Sequence, residues 1–111
     1  MMKKQVTFLS NIDSVSQVND KYVEILRSDS MSVGLYQLFK TDIDNQLPHT
    51  EDEAYFVLSG SAKIEVEGKI SNVRSGDVIY VAANQKHHFF DMKEDLKVLV
   101  FFAPAEYSTL M

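Results

Sequence analysis

A chain of 111 residues, 45% of them hydrophobic, is long enough for one compact domain and too short for a second of ordinary size. Its net charge of −5 comes from 11 basic and 16 acidic residues, and the basic ones are scattered, which argues against nucleic acid or an anionic membrane as the main partner. There is no cysteine, hence no disulfide framework, thiolate metal site or cysteine nucleophile, and any metal must be held by imidazole and carboxylate.

The N-terminal MMKKQVTFLSNIDS carries two lysines, but its short apolar patch is interrupted by Ser10, Asn11 and Asp13. That is not a signal peptide, and no apolar run approaches membrane-spanning length, so the expectation is a soluble, cytoplasmic protein. Residues 1–20 read as a lead-in segment, 21–105 as the domain and 106–111 as a tail. From Tyr22 onward, short apolar or alternating runs are separated by turn residues: YVEILR, SVGLYQLFK, AYFVLS, AKIEVE, KISNVR, DVIYVA, KHHFFDM and LKVLVFFA. Gly60, Gly68 and Gly76 supply the positive φ that tight reversals need. In AKIEVE, Ile64 and Val66 share one face while Lys63 and Glu65 share the other, as in a half-exposed strand. The runs YFVL and VLVFF read instead as central strands covered on both faces. Eight short strands in one small domain predict an all-β fold, a jelly roll whose two sheets enclose a lumen.

Chemistry concentrates in PHTEDEAYFVLSG, from Pro48 to Gly60. Residues two apart on a strand share a face, so Glu53, Tyr55 and Val57 point one way, with His49 if the backbone before Glu53 is nearly extended. In KHHFFDM, His87 and Phe89 share one face, His88 and Phe90 the other. One imidazole and one carboxylate from the first segment, with one imidazole from the second, make a two-histidine, one-carboxylate set suited to a divalent transition ion with open positions.

These residues resemble the cupin superfamily. Its first motif, G-x5-H-x-H-x3or4-E-x6-G, is matched in its second half by His49, Glu53 and Gly60. Its second, G-x5-P-x-G-x2-H-x3-N, falls on Gly76, Ala82, Asn84, His87 and Asp91. The resemblance spans roughly Met31 to Pro104 and implies a double-stranded β-helix, the jelly-roll β-barrel of small single-domain cupins. It also implies His49, Glu53 and His87 as ligands of iron, manganese, nickel or zinc, while alternation makes His88, on the opposite face, the uninvolved member of its pair. The sequence departs from the motifs at positions that matter for the site. The first histidine falls on Leu47, Ala82 replaces the proline, Asn84 the glycine and Asp91 the asparagine; asparagine tolerates the left-handed conformation that the turn needs. Glu51 is only a backup ligand, because making His49 the first motif histidine would leave Glu53 too close.

The lumen-wall candidates are Tyr36, Leu38, Tyr55, Val57, Phe89 and Phe101, with Tyr36, Tyr55 and Phe89 as substrate-binding residues. The expected function is metal-dependent chemistry on a small organic molecule, of dioxygenase, isomerase or cyclase type. The alternative is a non-catalytic small-molecule-binding module, which an apolar Leu47 filling the vacant ligand position would favour. Small cupins usually form homodimers, and YVEILR is the strand through which pairing is expected, because an unpaired edge must be covered or charged.

Overall fold

The computed structural model describes residues 21–108 together with Ile12, so the lead-in segment and the end of the tail lie almost wholly outside the described residues. The described part contains eight strands: β1 (Tyr22–Arg27), β2 (Ser32–Leu38), β3 (Asp52–Ser59), β4 (Ser61–Val66), β5 (Lys69–Arg74), β6 (Val78–Val81), β7 (His87–Phe90) and β8 (Leu96–Ala103). They form two antiparallel sheets, one ordered β1-β2-β8-β3-β6 and the other β5-β4-β7. The all-β jelly roll expected from the sequence is therefore present. Among the described residues no helix is long or apolar enough to cross a membrane.

The turn residues act as their chemistry demands. Gly60, Gly68 and Gly76 all have positive φ, and so do Asn84 (φ 69°) and Asp91 (φ 51°). At Gly60 a side chain is doubly excluded, because a Cβ would lie 2.3 Å from the Asp95 carbonyl oxygen. This close approach lets β3 turn directly into β4.

Period-2 alternation then sets the core. Leu38, Tyr55, Val57, Ala62, Ile64, Val73, Val81, Phe89, Met92, Leu96, Val98, Val100 and Phe102 form one buried cluster between the sheets. The runs YFVL and VLVFF are covered on one face only, contrary to the two-sided burial expected. Phe56 is 37% exposed, and Leu99 and Phe101 are only half-buried, because the small sheet covers just the inner face of the large one. The outer face carries two cross-strand apolar rows instead. One runs Val23, Leu35, Leu99, Phe56, Val78, and the other Leu26, Val33, Phe101, Ala54, Tyr80. Phe101 thus lies outside the lumen, and Phe102 occupies the inner face.

Candidate metal centre

Glu53 opens the inward face of β3, where it pairs with Phe102 of β8 on one side and Val81 of β6 on the other. Mid-sheet placement fixes its backbone and buries its side chain to 2% exposure. His87 begins β7 in the opposite sheet, and its imidazole crosses the lumen to bring Nε2 within 3.1 Å of Glu53 Oε2. His49 comes from the irregular segment before β3. Its carbonyl accepts a 2.6 Å hydrogen bond from the Asn84 N–H, which ties the two motif segments together, and its ring packs edge-on against Phe102 with centroids 4.9 Å apart. One ligand atom from each of His49, Glu53 and His87 falls within 4.8 Å of the others. Donors about 2.1 Å from one ion stand ~3–4 Å apart, so the three fit a shared cation.

The protonation pattern leaves the gap between His87 and Glu53 to a proton or a cation. His87 Nδ1 lies 2.8 Å from the Gln85 carbonyl oxygen, so it carries the hydrogen and donates it. In neutral His87 the Nε2 lone pair then faces a carboxylate oxygen at 3.1 Å in a fully buried site. Two acceptors cannot remain so close without a proton or a cation between them. Burial alone pushes the His87 pKa down, but the Glu53 carboxylate, helped by the Gln85 carbonyl and Asp44, outweighs it and holds the value above that of ordinary histidine. At His49 burial prevails over Glu53 and the pKa is lowered, which favours the neutral imidazole that a metal requires. Glu53 Oε1 is buried with no hydrogen-bond partner among the described residues, a costly arrangement for a carboxylate that only protons or cations relieve.

Outside this trio, Asp44 organises the lumen. Its carboxylate accepts from the Tyr36 hydroxyl, from Phe89 N at 2.8 Å and from Gln46 Nε2 at 2.8 Å. A cavity of about 180 Å³ opens beside the donors, lined by Tyr22, Tyr36, Gln46, Tyr55, Glu106 and Tyr107 among others. Tyr36 and Tyr55 stand on its wall, as the sequence suggested. Phe89 does not line it; its ring packs edge-on behind Tyr55 at 5.0 Å, within the core. Leu47 is 77% exposed and leaves the lumen free, with Gln46 turned inward instead. Glu51 is buried and accepts from the Thr50 hydroxyl, but the clustered donors do not include it. The side chain of His88 is 41% exposed beside Glu65.

Glu106, read from the sequence as the start of a tail, belongs to the cavity. Its N–H donates to Ser32 Oγ at 2.9 Å, and its carbonyl accepts from Arg27 Nη2 at 2.7 Å. So anchored, its carboxylate lies 3.7 Å from His49 Nδ1, and burial pushes its pKa up. Tyr22 enters the cavity because residue 34 is glycine: a Cβ there would lie 2.1 Å from the Tyr22 hydroxyl oxygen. A glycine amid SVGLYQL is the signal in the sequence for that close approach.

The profile of the family described as "Cupin domain" matches residues 40–102, over half of the chain. The chain belongs to the cupin family. An uncharacterized protein of Streptomyces coelicolor is 44% identical to this cupin over 99 residues, covering 88% of this chain and 94% of that one. An acireductone dioxygenase of Bacillus licheniformis is 32% identical over 95 residues, covering 81% of this cupin but only 45% of the dioxygenase, so this chain spans about half of that enzyme. Among solved structures, an uncharacterized double-stranded β-helix protein of Klebsiella pneumoniae superimposes with a TM-score of 0.73 at 16% identity, covering 89% of this cupin and 91% of that chain. At that identity the likeness speaks for the fold alone.

Proposed function

We propose that this cupin holds a divalent transition ion, iron, manganese, nickel or zinc, on His49, Glu53 and His87 and acts on a small organic molecule in the adjoining cavity. The observation that carries this reading is the buried face-to-face approach of His87 Nε2 and Glu53 Oε2, with the His87 proton committed to Gln85. A bound ion of this kind supplies either redox chemistry with oxygen or Lewis-acid polarisation of a carbonyl, and the similarity to an acireductone dioxygenase favours the oxygen-using branch.

The remaining work falls to the chain's own groups. Val100 and Phe102 give the cavity an apolar wall, while the Tyr22, Tyr36 and Tyr55 hydroxyls give it polar points that orient a ligand. Burial raises the pKa of all three phenols, so they stay protonated and act as donors. Glu106 lines the same cavity and lies outside the trio, and its carboxylate is the group placed to take a proton from a bound molecule and return it. The small volume, about 180 Å³, suits a compact substrate below drug size. The non-catalytic alternative would be favoured by an apolar side chain in the vacant ligand position, and Leu47 points outward.

We include a homodimer in this reading. Support comes from β1, an edge strand of the large sheet, and from the exposed Phe56, Val78 and Tyr80 on the outer face, apolar surface that a second copy would cover. A monomeric mass by light scattering at micromolar concentration would reject the dimer.

Elemental analysis of protein purified without chelator or affinity metal resin tests the metal. About one equivalent of a single transition ion per chain is expected on this ligand count, with uptake lost in His49→Ala. Protein that stays metal-free after incubation with each of the four ions would overturn the proposal.

A further inference from the structure

The geometry assigns Gln46 as a fourth, oxygen donor to the ion held by His49, Glu53 and His87, an inference that rests on the metal reading above. Three observations lead there. First, the orientation of the amide is determined. Gln46 Nε2 lies 2.8 Å from Asp44 Oδ2, and that carboxylate, buried and accepting from Tyr36 and Phe89 as well, can only accept. A flipped amide would set two oxygens against each other in a buried site. The Gln46 carbonyl oxygen therefore faces the lumen.

Second, that oxygen is only weakly engaged. Its neighbours are His49 Nε2 at 3.4 Å and the Tyr55 hydroxyl at 3.3 Å, both beyond the usual range of about 2.5–3.2 Å for such bonds. A half-buried carbonyl held by two long contacts keeps a lone pair to offer. Third, the spacing suits coordination. Adjacent donors of an octahedral ion stand ~3.0 Å apart and opposite ones ~4.2 Å, for bond lengths near 2.1 Å. The separations of Gln46 Oε1 from His49 Nε2 (3.4 Å), of His87 Nε2 from Glu53 Oε2 (3.1 Å) and of His49 Nε2 from Glu53 Oε2 (3.9 Å) all fall within or close to that range.

The substitution has chemical content. Gln46 takes up the inward place that Leu47, turned to solvent, leaves open. An amide oxygen is neutral, so the four donors carry a single negative charge, but the set becomes two nitrogens and two oxygens. Hard oxygen donors favour manganese and iron(II) over copper and nickel. Two positions of an octahedral ion, in place of three, then stay open to ligand or water.

The test compares wild type, Gln46→Ala and Gln46→His by calorimetric titration with Mn²⁺ and by visible absorption of the Co²⁺ form. Gln46→Ala should bind Mn²⁺ at least ~10-fold more weakly and change the intensity of the Co²⁺ bands. Gln46→His should recover Co²⁺ affinity while leaving Mn²⁺ affinity low. If Gln46→Ala keeps wild-type affinity and the wild-type Co²⁺ spectrum, Gln46 is no ligand, whereas the three-residue site stands. Weak binding by Gln46→Ala that Gln46→His does not relieve for Co²⁺ would also overturn the assignment, since it would reflect a disturbed lumen instead of a lost donor. Absence of uptake by the wild type would remove both the site and its fourth ligand.

Discussion

The two ends of the lumen are built from the same strands and have opposite character. Inward side chains run Glu53, Tyr55, Val57 along β3 and Phe102, Val100, Val98, Leu96 along β8. The Val57–Leu96 end closes on Ile64, Phe89 and Met92 as an apolar core. The Glu53 end gathers two imidazoles, two carboxylates, an amide and four phenols around a cavity. Apolar burial stabilises by about 25 cal/mol per Å², whereas a buried carboxylate without full pairing costs several kcal/mol. One end thus holds the barrel together and the other depends on it, so substitutions at the two ends should separate stability from metal binding.

The largest effect should come from His87→Ala. Uptake should fall from about one equivalent of metal to none, and the metal-free protein should also lose stability, because Glu53 is left as a buried carboxylate without its histidine partner. Stoichiometric metal in this variant, measured by elemental analysis, would contradict the separation of the two ends. Phe89→Ala is the converse. Losing a buried ring should cost about 3–5 kcal/mol in urea denaturation, and the folded fraction should still bind metal, since Phe89 lies behind Tyr55 and outside the cavity lining. Selective loss of metal with stability intact would place Phe89 in the site after all.

A smaller effect concerns pH. Although burial opposes it, Glu53 raises the folded pKa of His87. A raised folded value stabilises the metal-free protein fully below the unfolded pKa of about 6.5 and loses that contribution as pH rises through the folded value. His49, lowered by burial, works in the other direction: its contribution is present above about pH 6.5 and is lost as pH falls through its folded value. Replacing His87 by Gln should therefore remove the loss of stability on the alkaline side and leave the loss on the acid side. Parallel urea midpoints for wild type and variant across that range would reject the assignment.

The smallest effect is expected for Leu47→Ala. An exposed side chain outside any network should change stability by no more than ~0.5 kcal/mol and leave metal affinity unchanged. A large fall in affinity would mean that Leu47, and not only its neighbour Gln46, shapes the metal end.

Much of this contrast could be read before any fold was known. YVEILR, KISNVR and LKVLVFFA coincide with β1, β5 and β8, because alternation and turn residues are local properties of the chain. His49, Glu53 and His87 followed from motif spacing once strands were assumed, since a period of two fixes which side chains share a face. The error over Phe101 and Phe102 was one of phase: an unbroken apolar run such as VLVFF has no visible alternation, and only pairing with β2 and β3 reveals which residues face in.

Sequence by itself determined the strands, their turns and the three clustered donors, because each depends on residues close in the chain or on the strict periodicity of strands. Tertiary structure alone decided that Gln46 and not Leu47 enters the lumen, since the segment between β2 and β3 has no period from which a direction can be inferred. The same holds for Glu106, whose place is set by Ser32 and Arg27 more than seventy residues away. Side-chain direction outside regular strands is fixed by distant partners, and no local rule encodes them.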